Sequence, residues 1–271
     1  MIKNYKVLIS LFIIASLISS CEMFESHPYD VHITGERNIN KKNSKRITEA
    51  CKDKEVIRFV FMGDTQRWYD ETADFVNAIN LRDDIDFVIH GGDISDFGAT
   101  KEFIWQRDIL NGLHVPYVVA IGNHDYLGNG EEAFRAIFGD PDFTFMAGKS
   151  KFVCLDTNAL DNDYSRDIPN FSFIEETITQ EENPYENSIV IMHVPPFDRI
   201  FNNNVNKVFE YYIHQYNNPL FCLHAHTHHW SIRDLFDDGV LYYGCDAIHE
   251  RTYMIFTINP DNTYTYELVH F

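Results

Sequence analysis

The apolar residues of this chain fall into short runs that alternate with amphipathic segments between residues 56 and 224. Runs rich in β-branched and aromatic residues predict strands at residues 58–62, 87–90, 117–121, 143–146, 151–156, 188–193 and 219–224. Apolar positions at helical spacing predict helices near residues 71–81, 99–110, 131–138, 171–182 and 206–216. After residue 224 the helical pattern stops, and four more strands are predicted at residues 230–236, 240–243, 252–258 and 263–269.

The order of these elements predicts the architecture. Asp237-Asp238-Gly239 and Pro260-Asp261-Asn262 are turn sequences, and they predict antiparallel hairpins between the last strands. A β-α alternation with an antiparallel tail favours a four-layer α-β-β-α sandwich, in which two packed mixed sheets are flanked by helices, over one doubly wound sheet.

The first 55 residues have a different composition. Lys3 and Lys6 precede an apolar run over residues 7–18, which is too short to span a bilayer. Ile18-Ser19-Ser20-Cys21 then resembles the lipobox of bacterial lipoproteins, in which the cysteine is acylated. An ordinary cleaved signal peptide is the alternative, and both interpretations export the protein. We therefore predict a protein anchored to the bacterial membrane through lipidated Cys21, in the periplasm or at the cell surface.

Residues 22–55 form a polar lead-in between this signal and the main domain. We interpret residues 22–26 as a tether, residues 29–34 as a short strand and residues 40–54 as a surface helix. The predicted organisation is a lipoprotein signal peptide over residues 1–21, a tether and N-terminal extension over residues 22–55, and one domain over residues 56–271.

The charge limits the classes of partner. The chain of 271 residues has a net charge of −19, and removal of residues 1–21 leaves 20 basic and 41 acidic side chains, or −21. This balance argues against binding a nucleic-acid duplex through a basic face. It does not exclude a phosphorylated small molecule, because bound divalent cations would reverse the local field.

Four cysteines remain after the signal. Export permits disulfides, but the spacing shows no C-x-x-C pair, and two of the four lie in apolar strands. We predict buried free thiols without a metal-binding role at Cys51, Cys154, Cys222 and Cys245.

Polar side chains follow three of the predicted strands at the point where each strand ends. The first strand runs into Gly63-Asp64-Thr65-Gln66, the second into Gly91-Gly92-Asp93, and the third into Gly122-Asn123-His124-Asp125. Each alone would be an ordinary turn. Three such ends at the carboxyl edge of one sheet, where α/β proteins bind ligands, predict a metal site.

Two later blocks supply histidines, namely His193 after a strand and His224-Ala225-His226-Thr227-His228-His229. The five blocks together resemble the calcineurin-like metallophosphoesterase superfamily, whose pattern is D-x-H, G-D-x-x-D, G-N-H-D/E, a lone His after a strand, and G-H-x-H. Three features depart from that pattern. Gln66 occupies the position of a histidine, and Ala225 occupies the position of a glycine. Asp96-Phe97-Gly98 is found where the Ser/Thr protein phosphatases have Asp-Arg-Gly.

The resemblance implies a dinuclear, metal-dependent hydrolase of phosphate monoesters or diesters, with a metal-bridging hydroxide as nucleophile. The first metal would be bound by Asp64, Gln66, Asp93 and His228. The second would be bound by Asp93, Asn123, His193 and His226. These mixed oxygen and imidazole donors suit Mn, Fe, Zn or Mg without selecting one. His124 would act at the leaving-group oxygen, and Asp125 would hold that imidazole in orientation.

Several alternatives stay open at this point. Singly, His193 fits a core histidine, Asn123 a turn residue, and Gln66 a side chain that caps the following helix. A metallo-β-lactamase pattern resembles the histidine tract but leaves the aspartates unexplained. A surface lipoprotein that keeps the fold and binds a partner or glycan is the non-enzymatic alternative. Further side chains near the motifs are candidates to line a substrate cleft: Trp68, His90, Tyr126, Phe197, Arg199, His224, His229, Trp230 and His249.

Overall fold

The computed structural model of the protein describes residues 30–179 and 184–271. Its strands are β1 (Ile57–Met62), β2 (Phe87–His90), β3 (Tyr117–Val119), β4 (Phe143–Ala147), β5 (Ser150–Leu155), β6 (Asn187–Met192), β7 (Pro219–His224), β8 (Ser231–Asp234), β9 (Leu241–Gly244), β10 (Thr252–Ile258) and β11 (Tyr264–His270). Its α-helices are α1 (Ile39–Cys51), α2 (Tyr69–Asn80), α3 (Thr100–Leu110), α4 (Gly130–Ile137), α5 (Phe171–Thr179) and α6 (Asn206–Ile213).

The strands form two mixed sheets, as the sequence pattern predicts. A five-stranded sheet has the order β11-β10-β1-β2-β3, and a six-stranded sheet has the order β4-β5-β6-β7-β9-β8. The neighbours β1, β2 and β3 are parallel, and so are β5, β6, β7 and β9. The two predicted hairpins are confirmed, since β8 pairs with β9 and β10 with β11 in antiparallel register.

Successive side chains of each strand face opposite sides of its sheet, and this alternation separates the core between the sheets from the core under the helices. On β1, Phe59 and Phe61 belong to the core between the sheets, whereas Val60 and Met62 pack under the helices outside. This is the period of two that a strand with both faces buried requires. Helices α2, α3 and α4 cover the first sheet, and α5 and α6 cover the second. The four-layer sandwich is therefore confirmed.

Helix α1 corrects the prediction of a simple surface helix. Ile47 and Cys51 are buried in the core between the sheets. The Asn40 side chain donates to the carbonyl oxygen of Val119 and accepts from its amide, both at 2.8 Å. Thr48 on the same helix donates to the carbonyl oxygen of Met146 at 2.9 Å. Helix α1 thus joins β3 of one sheet to β4 of the other and satisfies backbone groups that an open edge would expose.

The remaining N-terminal predictions have different outcomes. Residues 30–38 contain no strand, so the predicted strand over residues 29–34 is wrong for its described part; Ile33 and Val31 instead pack against the outer core as irregular chain. The signal peptide, the lipobox and the tether predicted over residues 22–26 lie outside the described residues. Within the described ranges, no helix is both long enough and apolar enough to cross a bilayer. The four predicted free cysteines are confirmed as buried thiols.

Candidate metal centre

The register of β1 and β2 brings the first two motifs together. These parallel strands pair Met62 with His90, so both end at the same level. Beyond the strands, the amide of Asp64 donates to the carbonyl oxygen of Gly92 at 2.9 Å, and the amide of Gln66 donates to that of Asp93 at 3.0 Å. The two turns therefore lie side by side, and their carboxylates share one edge of the sheet.

Most of the predicted ligands have a strained backbone. Five of the seven have a positive φ: Asp64 at 51°, Gln66 at 38°, Asp93 at 56°, His226 at 69° and His228 at 54°. Left-handed conformations at residues other than glycine cost on the order of 1–3 kcal/mol each and concentrate at functional sites. The surrounding turns therefore hold these side chains in positions that relaxed loops would not provide.

The first group of candidate ligands is compact. Ligand atoms of Asp64, Asp93 and His228 all lie within 4.8 Å of one another. Oδ1 of Asp64 is buried without a well-aligned hydrogen bond and lies 3.3 Å from Nε2 of His228. Nε2 of Gln66 donates to Oδ2 of Asp93 at 3.3 Å, so this side chain points into the site and does not cap α2.

The second group surrounds the amide of Asn123. Its Oδ1 lies 2.8 Å from Nδ1 of His226 and 3.1 Å from Nε2 of His193. Nδ1 of His193 donates to the carbonyl oxygen of Gly91 at 3.0 Å, which leaves Nε2 facing the site. That nitrogen is also 3.3 Å from Oδ1 of Asp93. Asp93 therefore contacts both groups, with Oδ2 toward Gln66 and Oδ1 toward His193.

Asp93 and His193 shift each other's pKa values in opposite directions. Burial alone would raise the pKa of Asp93, but the His193 imidazole, and then the charge and backbone amide of His124, lower it to about 2. Burial would lower the pKa of His193, but Asp93 and then Asp64 raise it to about 9. The protein environment thus favours an ionised carboxylate at Asp93 and demands positive charge beside it.

Two glycines make room for this arrangement. A Cβ on Gly122 would lie 2.2 Å from both the amide nitrogen and Oδ1 of Asp93. A Cβ on Gly92, whose φ is +106°, would lie 2.6 Å from Nδ1 of His193. The glycines of the motifs are therefore required by close approach to the candidate ligands.

The structure contradicts the prediction that Asp125 orients the His124 imidazole. The Asp125 carboxylate is buried and accepts hydrogen bonds from the backbone amides of Ile94, Ser95 and Gly122, at 2.8–3.3 Å, and from the Ser95 hydroxyl. Nδ1 of His124 instead donates to the backbone carbonyl of Asp96 at 2.7 Å, and Oδ1 of Asp96 is 3.7 Å from the same nitrogen. Asp125 therefore braces the second and third motifs, whereas Asp96 orients the imidazole.

The pKa of Asp125 reflects its enclosure. Burial, and then the negative charge of Asp93, raise this pKa to about 7, although the donors from Ser95 and Gly122 oppose the shift. This side chain stabilises the turns that carry the site, because the hydrogen bonds described for its carboxylate come from Ile94, Ser95 and Gly122 and not from the His124 ring.

Sequence reasoning also missed Asp198. Its Oδ1 lies 3.3 Å from Nε2 of His226, the ring nitrogen opposite the one that faces Asn123. The contact with His226 lowers the pKa of Asp198. A carboxylate on the far nitrogen of a histidine fixes the ring orientation and strengthens the near nitrogen as a ligand. Asp198 sits in an irregular loop, where no sequence pattern marks its contact with His226.

The predicted cleft residues divide into two sets. His90 and His224 are buried, and burial is the main cause that lowers their pKa values, to about 3 and about 4, so neither lines an open cleft. His90 accepts from the amide of Gly92 and pairs with the Thr65 hydroxyl at 2.9 Å, which braces the turns below the site.

Aromatic side chains occupy the rim. Trp68 stacks on His249 with ring centroids 4.2 Å apart, and it meets His228 edge-on at 6.2 Å. Phe197 is about half exposed and contacts Phe236 at 5.0 Å. The other predicted rim residues are partly or fully exposed: Tyr126, Arg199, His229 and Trp230. The Tyr126 hydroxyl bonds the Asp156 carboxylate.

The donor set fits divalent cations. Buried carboxylates from Asp64 and Asp93 lie beside the amide oxygen of Asn123 and three imidazoles, and Oδ1 of Asp64 lacks a hydrogen bond. A buried carboxylate oxygen without a well-aligned donor is costly unless a cation neutralises it. Oxygen and imidazole donors suit Mn, Fe, Zn or Mg.

A two-sheet sandwich with this group of aspartates and histidines at one edge is the architecture of a metallophosphoesterase. The sequence model of the calcineurin-like phosphoesterase family matches residues 57–230, and the chain belongs to that family. No curated protein matches the sequence closely enough to count as a relative.

Solved structures share the fold at low sequence identity. One is described as GAP50, the anchor in the inner membrane complex of Plasmodium; it has a TM-score of 0.62 and 12% identity over 80% of this chain and 85% of its own. The purple acid phosphatase PPD1 from yellow lupin has a TM-score of 0.60 and 14% identity over 79% of this chain, which spans 51% of that enzyme. A dimetal phosphatase from Danio rerio has a TM-score of 0.57 and 13% identity over 75% of this chain and 93% of its own.

Proposed function

We propose that this phosphoesterase is a dinuclear, metal-dependent hydrolase of phosphate esters. The observation that carries the proposal is the position of Asp93, whose two carboxylate oxygens face two separate groups of ligands. The first metal would be held by Asp64, Gln66, Asp93 and His228. The second would be held by Asp93, Asn123, His193 and His226.

The chain supplies specific groups for the chemistry. Two divalent cations, when bound, lower the pKa of water and neutralise phosphoryl charge. The backbone amide of His124 donates to Oδ1 of Asp93 at 2.9 Å, which fixes His124 beside the shared carboxylate. With Nδ1 donating to Asp96, Nε2 of His124 is the nitrogen left for the substrate, and in the doubly protonated imidazolium form it can give its proton to the departing ester oxygen.

The substrate is a phosphorylated small molecule in this proposal. The test is turnover of p-nitrophenyl phosphate and bis-p-nitrophenyl phosphate by the purified full-length protein, with Mn²⁺, Mg²⁺ or Zn²⁺ added after chelation. We expect metal-dependent release of p-nitrophenolate from at least one ester. Protein that binds metal but hydrolyses neither ester would contradict the proposal.

A non-enzymatic binding protein is the second candidate. It is favoured by the likeness to the Plasmodium protein that is described as an anchor, and by Gln66 in place of a histidine ligand. Both candidates keep the fold, so thermal stability does not separate them. Metal content together with ester turnover does, because a pure anchor requires neither.

We also propose that the protein is exported and held on the bacterial membrane through Cys21. Support comes from the short apolar run over residues 7–18 and from Ile18-Ser19-Ser20-Cys21. Radiolabelled palmitate should label the wild type and not Cys21→Ser. Equal labelling of the two proteins would contradict lipidation at Cys21.

A further inference from the structure

We propose that Arg67 binds the phosphoryl group of the substrate and gives the site a preference for dianionic phosphomonoesters over monoanionic diesters. This inference rests on the phosphoesterase function proposed above, and it assigns a substrate class to that site. It is carried by where the Arg67 guanidinium lies, how it is held and which of its donors are unused.

Arg67 occupies the tip of a tight turn at the site. The amide of Trp68 donates to the carbonyl oxygen of Thr65 at 2.8 Å and closes the turn before α2. Gln66, the preceding residue, is 4% exposed and reaches Asp93. The Arg67 side chain is 61% exposed, so the same turn buries one side chain in the candidate metal centre and presents the next at its mouth.

The guanidinium is held beside the proposed proton donor. Nη2 of Arg67 lies 3.0 Å from Oδ1 and 2.8 Å from Oδ2 of Asp96, whose side chain is 1% exposed. The Phe97 ring lies 5.6 Å below the guanidinium carbon. Asp96 also orients His124 through its carbonyl oxygen. Asp96 therefore contacts the guanidinium through its carboxylate and the imidazole through its backbone carbonyl, and the proposal places the phosphoryl group that His124 serves next to Arg67.

The remaining donors of Arg67 are available to a ligand. A guanidinium has five N–H donors, and Asp96 engages Nη2 alone. Within residues 30–179 and 184–271, Nε and Nη1 have no hydrogen-bond partner. These solvent-facing donors match the fork geometry with which an arginine binds phosphoryl oxygens.

Charge determines which phosphate this arrangement prefers. A phosphomonoester carries close to two negative charges above its second pKa of about 6, whereas a diester carries one. The walls of the site are rich in carboxylates, from Asp64, Asp93, Asp96 and Asp198. A fixed guanidinium compensates the extra charge of the monoester and offers donors to its third terminal oxygen, which a diester lacks.

The test compares two esters with one leaving group. The Mn²⁺-loaded full-length protein and its Arg67→Ala and Arg67→Lys variants are assayed with p-nitrophenyl phosphate and bis-p-nitrophenyl phosphate. Arg67→Ala should lose roughly 10- to 100-fold in kcat/KM for the monoester, the scale of a charge-assisted hydrogen bond, and little for the diester. Arg67→Lys, which keeps the charge, should lose less. Arg135→Ala, at an exposed arginine paired with Asp140, is the matched control and should change neither ester.

Two results would overturn the inference. Equal losses on both esters would show that Arg67 acts through Asp96 and His124 and not on the phosphoryl charge. Unchanged kinetics for the monoester in Arg67→Ala would show that it does not bind the substrate.

A binding measurement separates this inference from the proposed function. If the wild type hydrolyses neither ester, the proposed function fails, and calorimetry at pH 8 decides the role of Arg67. Inorganic phosphate should bind the Mn²⁺-loaded wild type roughly 10- to 100-fold more tightly than Arg67→Ala, whereas dimethyl phosphate should not distinguish the two proteins. Equal phosphate affinity in the two proteins would contradict the inference.

Discussion

Asp93 shows how single residues assemble this site. Its positive φ and the lack of a side chain on Gly122 bring the carboxylate against the turn of the third motif. Its two oxygens then face groups contributed by both sheets. A one-residue change of conformation would separate these groups, so the backbone of the motif matters as much as its side chain.

Because Asp96 and not Asp125 orients the His124 imidazole, substitutions at these three residues should have different effects on turnover. His124→Ala should keep the bound metal and lower kcat by roughly 10²–10⁴-fold, with smaller losses for esters whose leaving group is a weaker base. Asp96→Asn keeps the backbone carbonyl that accepts from Nδ1 of His124 and removes only the carboxylate charge 3.7 Å away, so it should show the same leaving-group dependence with a smaller loss than His124→Ala.

Asp125→Asn is the matched comparison. It places an amide against donors from Ile94, Ser95 and Gly122, so it should lower the free energy of unfolding by about 1–3 kcal/mol. It should not create a leaving-group dependence. If Asp125→Asn alone produced that dependence, the assignment of Asp96 as the orienting residue would be wrong.

Gln66 should set the metal preference of the first site. An amide oxygen is a neutral, hard donor, whereas an imidazole favours later transition metals. Gln66→His should therefore tighten that site and move activity toward Zn or Fe, and Gln66→Ala should reduce its occupancy. Activity titrated against Mn²⁺, Mg²⁺ and Zn²⁺ provides the measurement, and three superimposable sets of curves would show that Gln66 does not bind the metal.

For individual residues, the sequence predicts the candidate metal ligands better than the side chains that contact and orient the histidines. Asp64, Gln66 and Asp93 follow strands whose pattern is clear, and they do lie together at one sheet edge. The contacts of Asp96 and Asp198 depend on how irregular loops fold back on histidines distant in sequence. Hydropathy and spacing carry no information on such contacts, which is why Asp125 was a wrong partner for His124.

Among the elements, α1 has the least expected role. Its sequence is polar and charged, yet Asn40 and Asn43 satisfy the edge of β3, and Ile47 enters the core. A pattern of apolar positions does not distinguish asparagines that face water from asparagines that bond a sheet edge. The helix lies before residue 57, where the family match begins, but it is packed into the sandwich.

Substitutions in α1 test this packing. Ile47→Ala should lower the free energy of unfolding by roughly 2–5 kcal/mol through a core cavity. Asn40→Ala should cost about 1–3 kcal/mol, because the amide and carbonyl of Val119 lose their partner. Both are measured by denaturant unfolding.

The control is Lys45→Ala, at an exposed position of the same helix. It should leave stability nearly unchanged. Unfolding curves for Asn40→Ala and Ile47→Ala that coincide with this control would contradict the account of α1.

Both sheets contribute loops to the candidate metal centre. Loops after β1, β2 and β3 carry Asp64, Asp93, Asn123 and His124, whereas loops after β6 and β7 carry His193, Asp198, His226 and His228. The site therefore requires the two sheets to pack in a defined relation. The sequence predicts two sheets and their hairpins, but it does not predict that β9 lies between β7 and β8 or that β10 joins the first sheet. Strand pattern shows that a strand exists, and its neighbour depends on contacts across the chain.

The central claim is that Asp93 is shared by two cations. The most direct measurement is metal content per chain by mass spectrometry, after reconstitution with Mn²⁺ and removal of free metal. We expect about two ions per wild-type chain, a fall toward one or none in Asp93→Asn with nearly complete loss of ester turnover, and no change in Asp140→Asn at an exposed site. A wild type that binds no metal, or an Asp93→Asn variant with two ions and normal turnover, would contradict it.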